Sequence, residues 1–455
     1  MLDKPETDLP LLFTPIAMRG VTARNRIVAS PMCQYASEDG GPNDWQLAHL
    51  GRLAIGGCGI VFGEESAVEA RGRKTYTCAG IWNDKHIPLY NRINDFLKAY
   101  GSTPAIQLGH SGRKASCHDA IKDWAPLTEA DAADGLPPWQ GVAPSPIPKE
   151  PGSHIPKEMT QADIDEVLQA FADSARRSLK AGYEIVEIHG AHGYLIHQFL
   201  SPISNKRTDS YGGSLENRMR FALQVTEATR VAWPEDKPLF FRISAVDGQG
   251  GVWSADDSIA LSRGLKDRGV DFIDCSSGGI IGSASMSIMP RLPGFQVPFA
   301  ERVRSEVGIA TVAVGMITEG AQAEAILQDG QADLIALARE LMWYADWPAH
   351  AARAMGIEGY GIMPERYAHR LKLRDRQQKM AVNQPTPENY ATLSALVGKP
   401  LSPGPYPRGC GVCCCLRGRD RGRSCKFARL EYVWSEGALT FNCHSRGCRE
   451  DLFFR

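Results

Sequence analysis

The sequence predicts an α/β protein built on a (β/α)8 TIM barrel, and three observations predict it. Short apolar runs alternate with longer segments of helical periodicity, the runs are apolar and β-branched on both faces, and they number eight. Strands buried on both faces belong to parallel sheets covered by helices. Eight sequential, right-handed βα units close most naturally into a barrel. A doubly wound open sheet is the alternative, and the strand count favours the barrel.

The elements follow in order. RIVASPM (26–32) reads as the first strand, WQLAHLGRLAIGG as its helix, and GIVFGEES (59–66) as the second strand. HIPLYNRINDFLKAYG, with its proline in the first turn, leads to the third strand, TPAIQLGH (103–110). A Pro- and Gly-rich loop excursion over about 111–158 interrupts the rhythm. The next helix opens with Thr160 and Asp163 in capping-box positions and stops at Gly182, before YEIVEIHG. Helix 214–232, strand 238–245, a helix beginning SADDS, strand 272–279, helix VPFAERVRSEVG, strand 311–317, helix EGAQAEAILQDG and strand 334–340 complete the set. The barrel is expected over 1–370, with a C-terminal extension of it over 371–400 and an atypical Cys/Arg-rich tail over 401–455.

Composition narrows the function classes. The 51 Lys+Arg and 52 Asp+Glu nearly cancel, so no global field points to nucleic acid or an anionic membrane. The N-terminus lacks a basic region leading into an apolar run, and no stretch is long enough to span a bilayer. A cytoplasmic protein is expected. Of twelve cysteines, Cys33, Cys58, Cys78, Cys117 and Cys275 are scattered and read as reduced thiols of a cytosolic enzyme, whereas seven crowd the last 46 residues.

In a barrel, function sits at the C-terminal ends of the strands. Cys33, Gln107, His110, His189, Arg242, Ser276, Ser277, Gly315 and Arg339 all fall there. VAVGMITEG and LIALAREL run from a strand straight into a helix, where barrel enzymes build phosphate cradles from backbone N–H groups. Gly315 would allow close backbone approach and Arg339 would supply charge; the plain alternatives are a turn glycine and a surface arginine. Gln107 offers a donor and an acceptor to the edge of a planar heterocycle, and a buried Arg242 is costly unless it meets an anion or a carbonyl. Either could instead satisfy loop carbonyls. Together with a phosphate cradle, they suit a phosphorylated flavin lying across the barrel mouth.

EIHGAHGYL (187–195) sets two histidines three apart with a tyrosine two places after the second. On a helix such a pair could share a metal. The strand-like residues before it and the glycines at 190 and 193 place it instead on a loop at the mouth. A metal would want a further ligand, and the near carboxylate, Glu187, sits back in the strand. Paired core histidines are the remaining alternative to hydrogen-bond donors for a substrate.

SPMCQY (30–35), IQLGHSGRK (106–114), EIHGAHGYLIHQFLSPISNKRTDSYGGSLENRMRF (187–221) and the RIS of the fifth strand resemble the Old Yellow Enzyme family of FMN-dependent ene-reductases and NAD(P)H dehydrogenases. The resemblance spans about residues 9–370, and the cysteine of SPMCQY is similar to that of the bacterial branch. It implies that Ser30, Pro31, Met32 and Cys33 line FMN, that Gln107 and Arg242 hold its ring, and that Gly315 and Arg339 hold its phosphate. It implies that His189 and His192 bind the substrate's carbonyl or nitro oxygen, that Tyr194 donates a proton, and that Tyr35 closes the pocket. NADPH or NADH would be the electron donor, and an activated alkene or a nitro compound the small-molecule partner. A homo-oligomer, dimer or tetramer, is the family's usual state. Two positions depart from the pattern. Glu65 stands where relatives commonly have a small residue meeting FMN through its backbone, and Ala338 where many have glycine before the phosphate arginine.

Two other functional readings compete. One is an iron–sulfur flavoprotein of the dienoyl-CoA reductase or amine dehydrogenase type, but Cys410, Cys413 and Cys425 lie far beyond the eighth strand and at the wrong spacing. The other is a zinc-binding tail module built from Cys410, Cys413, Cys443, His444 or Cys448. The tail carries ten Lys+Arg against five Asp+Glu, yet GCGVCCCLRGRDRGRSCKF has no core-forming periodicity. It is read as disordered, or as an out-of-frame reading of the gene's end.

Overall fold

The computed structural model describes residues 9–249, 252–281, 290–357, 359–382, 391–392, 394–396, 398, 430–435 and 438–443. Eight parallel strands close into a barrel: β1 (Ile27–Ala29), β2 (Ile60–Ala67), β3 (Thr103–Gly109), β4 (Ile185–Gly190), β5 (Leu239–Ser244), β6 (Phe272–Ser276), β7 (Ala310–Val314) and β8 (Leu334–Leu337). Each pairs with its sequence neighbours, and β8 closes onto β1 through Ile335–Ile27, Ala336–Val28 and Leu337–Ala29. This is the architecture expected from the strand count.

The covering helices are α1 (Asp44–Gly56), α2 (Ile87–Ala99), α3 (Gln161–Lys180), α4 (Leu215–Ala232), α5 (Ala255–Lys266), α6 (Val297–Val307), α7 (Gly320–Gln328) and α8 (Trp347–Ala354). Their starts are chemically marked. Asn43 with Gln46, Thr160 with Asp163 and Ser254 with Asp257 each form a reciprocal cap at the first turn. Such a cap contributes about 1 kcal/mol and fixes where the loop ends and the helix begins.

Strand alternation sorts the barrel interior into layers. Val28, Ile60, Phe62, Ala105, Ile185, Phe240, Phe272, Val312 and Leu334 fill the lower part as one apolar cluster. Met18, Val21 and Ala23, from a hairpin of Ile16–Met18 and Val21–Ala23, join the same cluster and plug the N-terminal end. The sequence reading did not anticipate this hairpin, because strands of three residues carry too little alternation to register. The larger cluster, between strands and helices, forms the outer core.

Four strands end three residues sooner than expected: β1 stops at Ala29 rather than at 32, and the other three do so for local reasons. β7 stops at Val314 because Gly315 (φ 120°) and Met316 (φ 50°) leave the extended region. β8 stops at Leu337 because Ala338 already caps a short helix, Arg339–Trp343. β6 ends at Ser276, where its pairing to β5 ends. β2 holds a register shift against β3 between Phe62 and Glu65, which turns Glu65 rather than Glu64 toward the barrel axis.

The excursion after β3 contains short helical turns and a two-stranded pair, Val142–Ala143 with Lys157–Glu158. A further helix, Glu365–Val382, follows α8. The chain divides into two units, Met1–Gln377 and Gln378–Arg455. In the second, Leu430–Ser435 and Ala438–Cys443 pair as an antiparallel hairpin. The stretch GCGVCCCLRGRDRGRSCKF and the tail positions Cys410, Cys413, Cys425, His444 and Cys448 lie outside the described residues. Among the described residues no helix is long and apolar enough to cross a membrane.

Candidate active site

Above the apolar layer, the inward positions of consecutive strands turn polar. Glu65 on β2, Gln107 on β3, Glu187 on β4, Arg242 on β5 and Asp274 on β6 are all buried, and parallel register sets Glu65 beside Gln107, Gln107 beside Glu187, and Arg242 beside Asp274. Gln107 Nε2 donates to Glu187 Oε1 at 2.8 Å. Arg242 Nε lies 3.4 Å from Asp274 Oδ2, and its Nη1 donates to Ser30 Oγ at 3.3 Å. The arginine therefore meets an anion from the neighbouring strand.

This layer holds more carboxyl groups than cations, so its protonation is set by burial. Burial, then the negative charge of Asp274, raises the Glu187 carboxyl to about 8 against the pull of Arg242. Burial likewise raises Asp274, with Arg242 opposing. One guanidinium between two carboxyls leaves one proton on the pair, and we place it on Glu187. Six buried side-chain atoms in and just above this layer have no hydrogen-bond partner: Glu65 Oε1 and Oε2, Glu187 Oε2, His189 Nδ1, Arg242 Nε and Asp274 Oδ1. An unmet buried polar atom costs roughly 1–3 kcal/mol. Such a concentration at one depth of one barrel is what a site for a polar, planar, hydrogen-bonding group requires, and its donor and acceptor set fits the edge of a flavin ring.

The loop after β4 brings the EIHGAHGYL residues over this layer. The His189 and His192 rings lie 5.1 Å apart, and the Tyr194 ring meets His189 edge-on at 4.9 Å. His192 takes a left-handed conformation (φ 56°), which costs a non-glycine residue about 1–3 kcal/mol. Its backbone is held there: its N–H donates to Ser244 Oγ at 2.9 Å, and its carbonyl accepts from Lys114 Nζ at 2.7 Å. Gly193 follows at φ 71°, where a Cβ would lie 2.1 Å from the Gly279 carbonyl oxygen, so only glycine fits.

Burial and then Arg242 hold both imidazoles well below the ordinary histidine value, so each is neutral and presents one ring N–H. His189 Nδ1 is among the partnerless atoms. His192 Nε2 shares a hydrogen bond of 2.7 Å with Ser276 Oγ. Burial pushes the Tyr194 phenol well up, and Glu65 adds to the effect, so the hydroxyl keeps its proton.

The loop after β1 closes the site from the other side. Cys33 remains a thiol, raised well above its ordinary value by burial and then by Glu65 and Glu64. Tyr35 sits at φ 53° with its ring edge-on to Trp124 at 4.9 Å, and Lys74 Nζ stands 3.1 Å from the Trp124 ring centre. Glu64 anchors this loop by accepting from the Gln34 backbone N–H at 2.8 Å and from Gln46 Nε2 at 3.1 Å. Across the mouth, Gly315 follows β7, with the Gln296 side chain donating to Val314 O at 3.2 Å. Ala338 caps the helix that Arg339 begins, and Arg339 is exposed.

The structure thus gathers Ser30, Glu65, Gln107, Arg242, His189, His192 and Tyr194 at one depth or just above it. Gly315, Ala338 and Arg339 stand at the rim where β7 and β8 end. Sequence reasoning singled out neither Asp274, which partners Arg242, nor the structural work of Glu64 and Lys114. Asp274 left a signal: a lone acid inside the apolar run FIDCSS, two residues from the strand end. His110, which also attracted notice, turns instead to Glu69: its Nε2 lies 2.8 Å from Glu69 Oε1, and its Nδ1 accepts from the Gly112 backbone N–H at 3.0 Å. Among the described residues no group of three or more His, Cys, Asp or Glu is placed to hold a metal ion.

Comparison with known proteins identifies the family and the fold. A sequence model described as the NADH:flavin oxidoreductase / NADH oxidase family matches residues 11–357. An NADPH dehydrogenase of Geobacillus sp. (strain WCH70) is 45% identical over 348 residues, covering 76% of this chain and 95% of that protein. Among solved structures, a 2-naphthoyl-CoA reductase complex superposes with a TM-score of 0.66 at 24% identity; it covers 76% of this chain, which spans only about half (52%) of that one. An old yellow enzyme homologue from Zymomonas mobilis superposes with a TM-score of 0.63 at 25% identity, covering 76% of this chain and 93% of the other.

Proposed function

Since the chain belongs to the NADH:flavin oxidoreductase / NADH oxidase family, whose members depend on FMN, we propose that it is an NADPH-dependent ene-reductase acting on enones, enals or nitroalkenes. The observation that carries the reading is the placement of two neutral imidazoles and a protonated phenol directly above a layer of partnerless buried polar atoms. When bound, FMN would supply two-electron hydride chemistry between the nicotinamide and the β-carbon of the alkene.

The residues of the chain bind, orient and protonate. Gln107 and Arg242 hold the ring, with Ser30, Pro31, Met32, Cys33 and Glu65 lining it, while Gly315, Ala338 and Arg339 take the phosphate end. His189 and His192 donate hydrogen bonds to the carbonyl or nitro oxygen of the substrate. As charge moves onto that oxygen the donors strengthen, which is how an oxyanion hole works with side chains in place of backbone. His192 exchanges its Ser276 contact for the substrate. Neutral imidazoles suit this task because they polarise the oxygen without surrendering a proton. Tyr194 then delivers its proton to the α-carbon, and Tyr35 covers the pocket. Nicotinamide and alkene use the same mouth in turn, so a ping-pong order follows.

An absorbance spectrum of the purified protein tests the reading. We expect a flavin spectrum that NADPH bleaches under anaerobic conditions and that 2-cyclohexenone restores. A colourless protein, or a flavin that NADPH reduces but no activated alkene reoxidises, would sink it.

A further inference from the structure

Glu65 is the one carboxyl of the polar layer with neither a hydrogen bond nor an ion pair. Both oxygens are buried and partnerless, the residue is 3% exposed, and the register shift in β2 directs it inward beside Gln107. The approach is close on that side as well: a Cβ on Gly109 would lie 2.2 Å from Glu65 Oε1, so glycine at 109 makes room for the carboxyl. Its neighbour Glu64, with two donors of its own, faces the β1 loop. The sequence therefore places two adjacent glutamates, and the bulge commits the unsatisfied one to the site.

We propose that Glu65 couples a proton to the redox state of the bound flavin: its carboxylate binds one solvent proton as the flavin is reduced and releases it on reoxidation. The inference rests on the FMN reading above and goes beyond it, because that reading asks of Glu65 only that it line the ring. The balance is simple. Hydride and its two electrons come from NADPH and leave to the alkene, while the Glu65 proton enters from solvent and returns to solvent within the cycle. A buried carboxylate beside a centre gaining negative charge is driven to protonate, since like charges at low dielectric repel strongly.

The surroundings fix the pH window. From its own strand Glu65 feels the charge of Glu64, and from the loop after β2 that of Lys74, with Cys78 close by. Cys33 and Tyr35 face it from the loop after β1, Tyr90 from α2 and Tyr194 from the loop after β4. The two thiols and three phenols are raised by burial and stay neutral through the physiological range, so only Glu64 and Lys74 bring charge. Burial and then Glu64 raise the Glu65 carboxyl to about 8, with Lys74 opposing. Below that pH the group is neutral in both redox states and binds no extra proton. Above it, reduction draws one in. Without flavin, the same raised value means the folded protein binds more protons than the unfolded chain between the ordinary carboxyl value, about 4.3, and about 8, so stability falls as pH rises through that window.

The test is the midpoint potential of FMN in the holoenzyme, measured by dye-equilibrated reduction from roughly pH 6 to 10, a range that brackets the raised carboxyl. Wild type should take up one additional proton per two electrons above about pH 8, and Glu65→Gln should lose that extra slope and hold a higher potential at the alkaline end. Direct proton uptake by wild type, followed with an indicator dye during reduction, gives the same answer should the variant fail to fold. Curves that superimpose, or an extra proton that survives in Glu65→Gln and vanishes in Glu187→Gln, would overturn the proposal alone. A protein without flavin would overturn the FMN reading and the proposal with it. Thermal unfolding of the flavin-stripped protein adds an independent check: Glu65→Gln should gain more over wild type at pH values above about 8 than near 5, and an equal gain at both counts against the buried acid.

Discussion

Tyr194→Phe slows reduction of 2-cyclohexenone by roughly 10²- to 10⁴-fold, the range a positioned general acid contributes, while reduction of the flavin by NADPH keeps its wild-type rate. The expectation follows from what the phenol touches. Its ring is fixed edge-on against His189, so losing the hydroxyl leaves packing unchanged and removes only the proton. Nothing in hydride transfer from nicotinamide to flavin needs that proton. Stopped-flow measurement of the two half-reactions separates the cases. If both slow equally, Tyr194 serves the pocket's shape or the flavin, and its assignment as proton donor fails. The pH profile adds a second check: because burial holds the phenol well above its ordinary value, the oxidative half-reaction should show no loss from phenolate formation up to about pH 10, the ordinary tyrosine value.

Arg242→Met should cost about 3–5 kcal/mol of stability, the usual penalty for removing one partner of a buried ion pair, and should strip the protein of flavin. The arginine stands between the carboxyls of Glu187 and Asp274, and its loss leaves Asp274 buried without a counter-charge. Removing the charge on the other side as well should recover much of the stability. Arg242→Met with Asp274→Leu is therefore expected to unfold at a higher temperature than Arg242→Met alone while still failing to bind flavin. Denaturant or thermal unfolding supplies the first comparison and the absorbance of the purified proteins the second. A single variant as stable as wild type would mean that the arginine's charge is balanced elsewhere.

Most of the barrel was legible because its strands are buried on both faces and its helices carry capping residues, so Thr160 with Asp163 marks the start of α3 in the sequence itself. The strand ends were less legible. Gly315 and Met316 belong to an apolar run in the sequence, and only their backbone angles reveal that the strand has already ended. At the site, residues with unusual chemistry for a strand end stood out: Gln107, Arg242, His189 and His192. Their supports did not, because support is a relation between distant strands. Asp274 is 32 residues from Arg242 and beside it in space, and Lys114 reaches the His192 carbonyl from the loop after β3. Nor does a sequence reveal a bulge. With two glutamates in succession, strict alternation from Phe62 points Glu64 inward, and the register shift reverses the choice.

The small hairpin at the bottom of the barrel has a bearing on traffic. Met18, Val21 and Ala23 stopper one end of the barrel with apolar side chains locked into the layer above, and the titratable residues of the site all open toward the other. Under the proposed function, nucleotide and alkene would share a single doorway, and each would have to vacate it before the other arrives. A surplus of either reactant becomes an obstacle to its counterpart, so turnover should peak at a balanced supply and fall when the alkene crowds out the reductant.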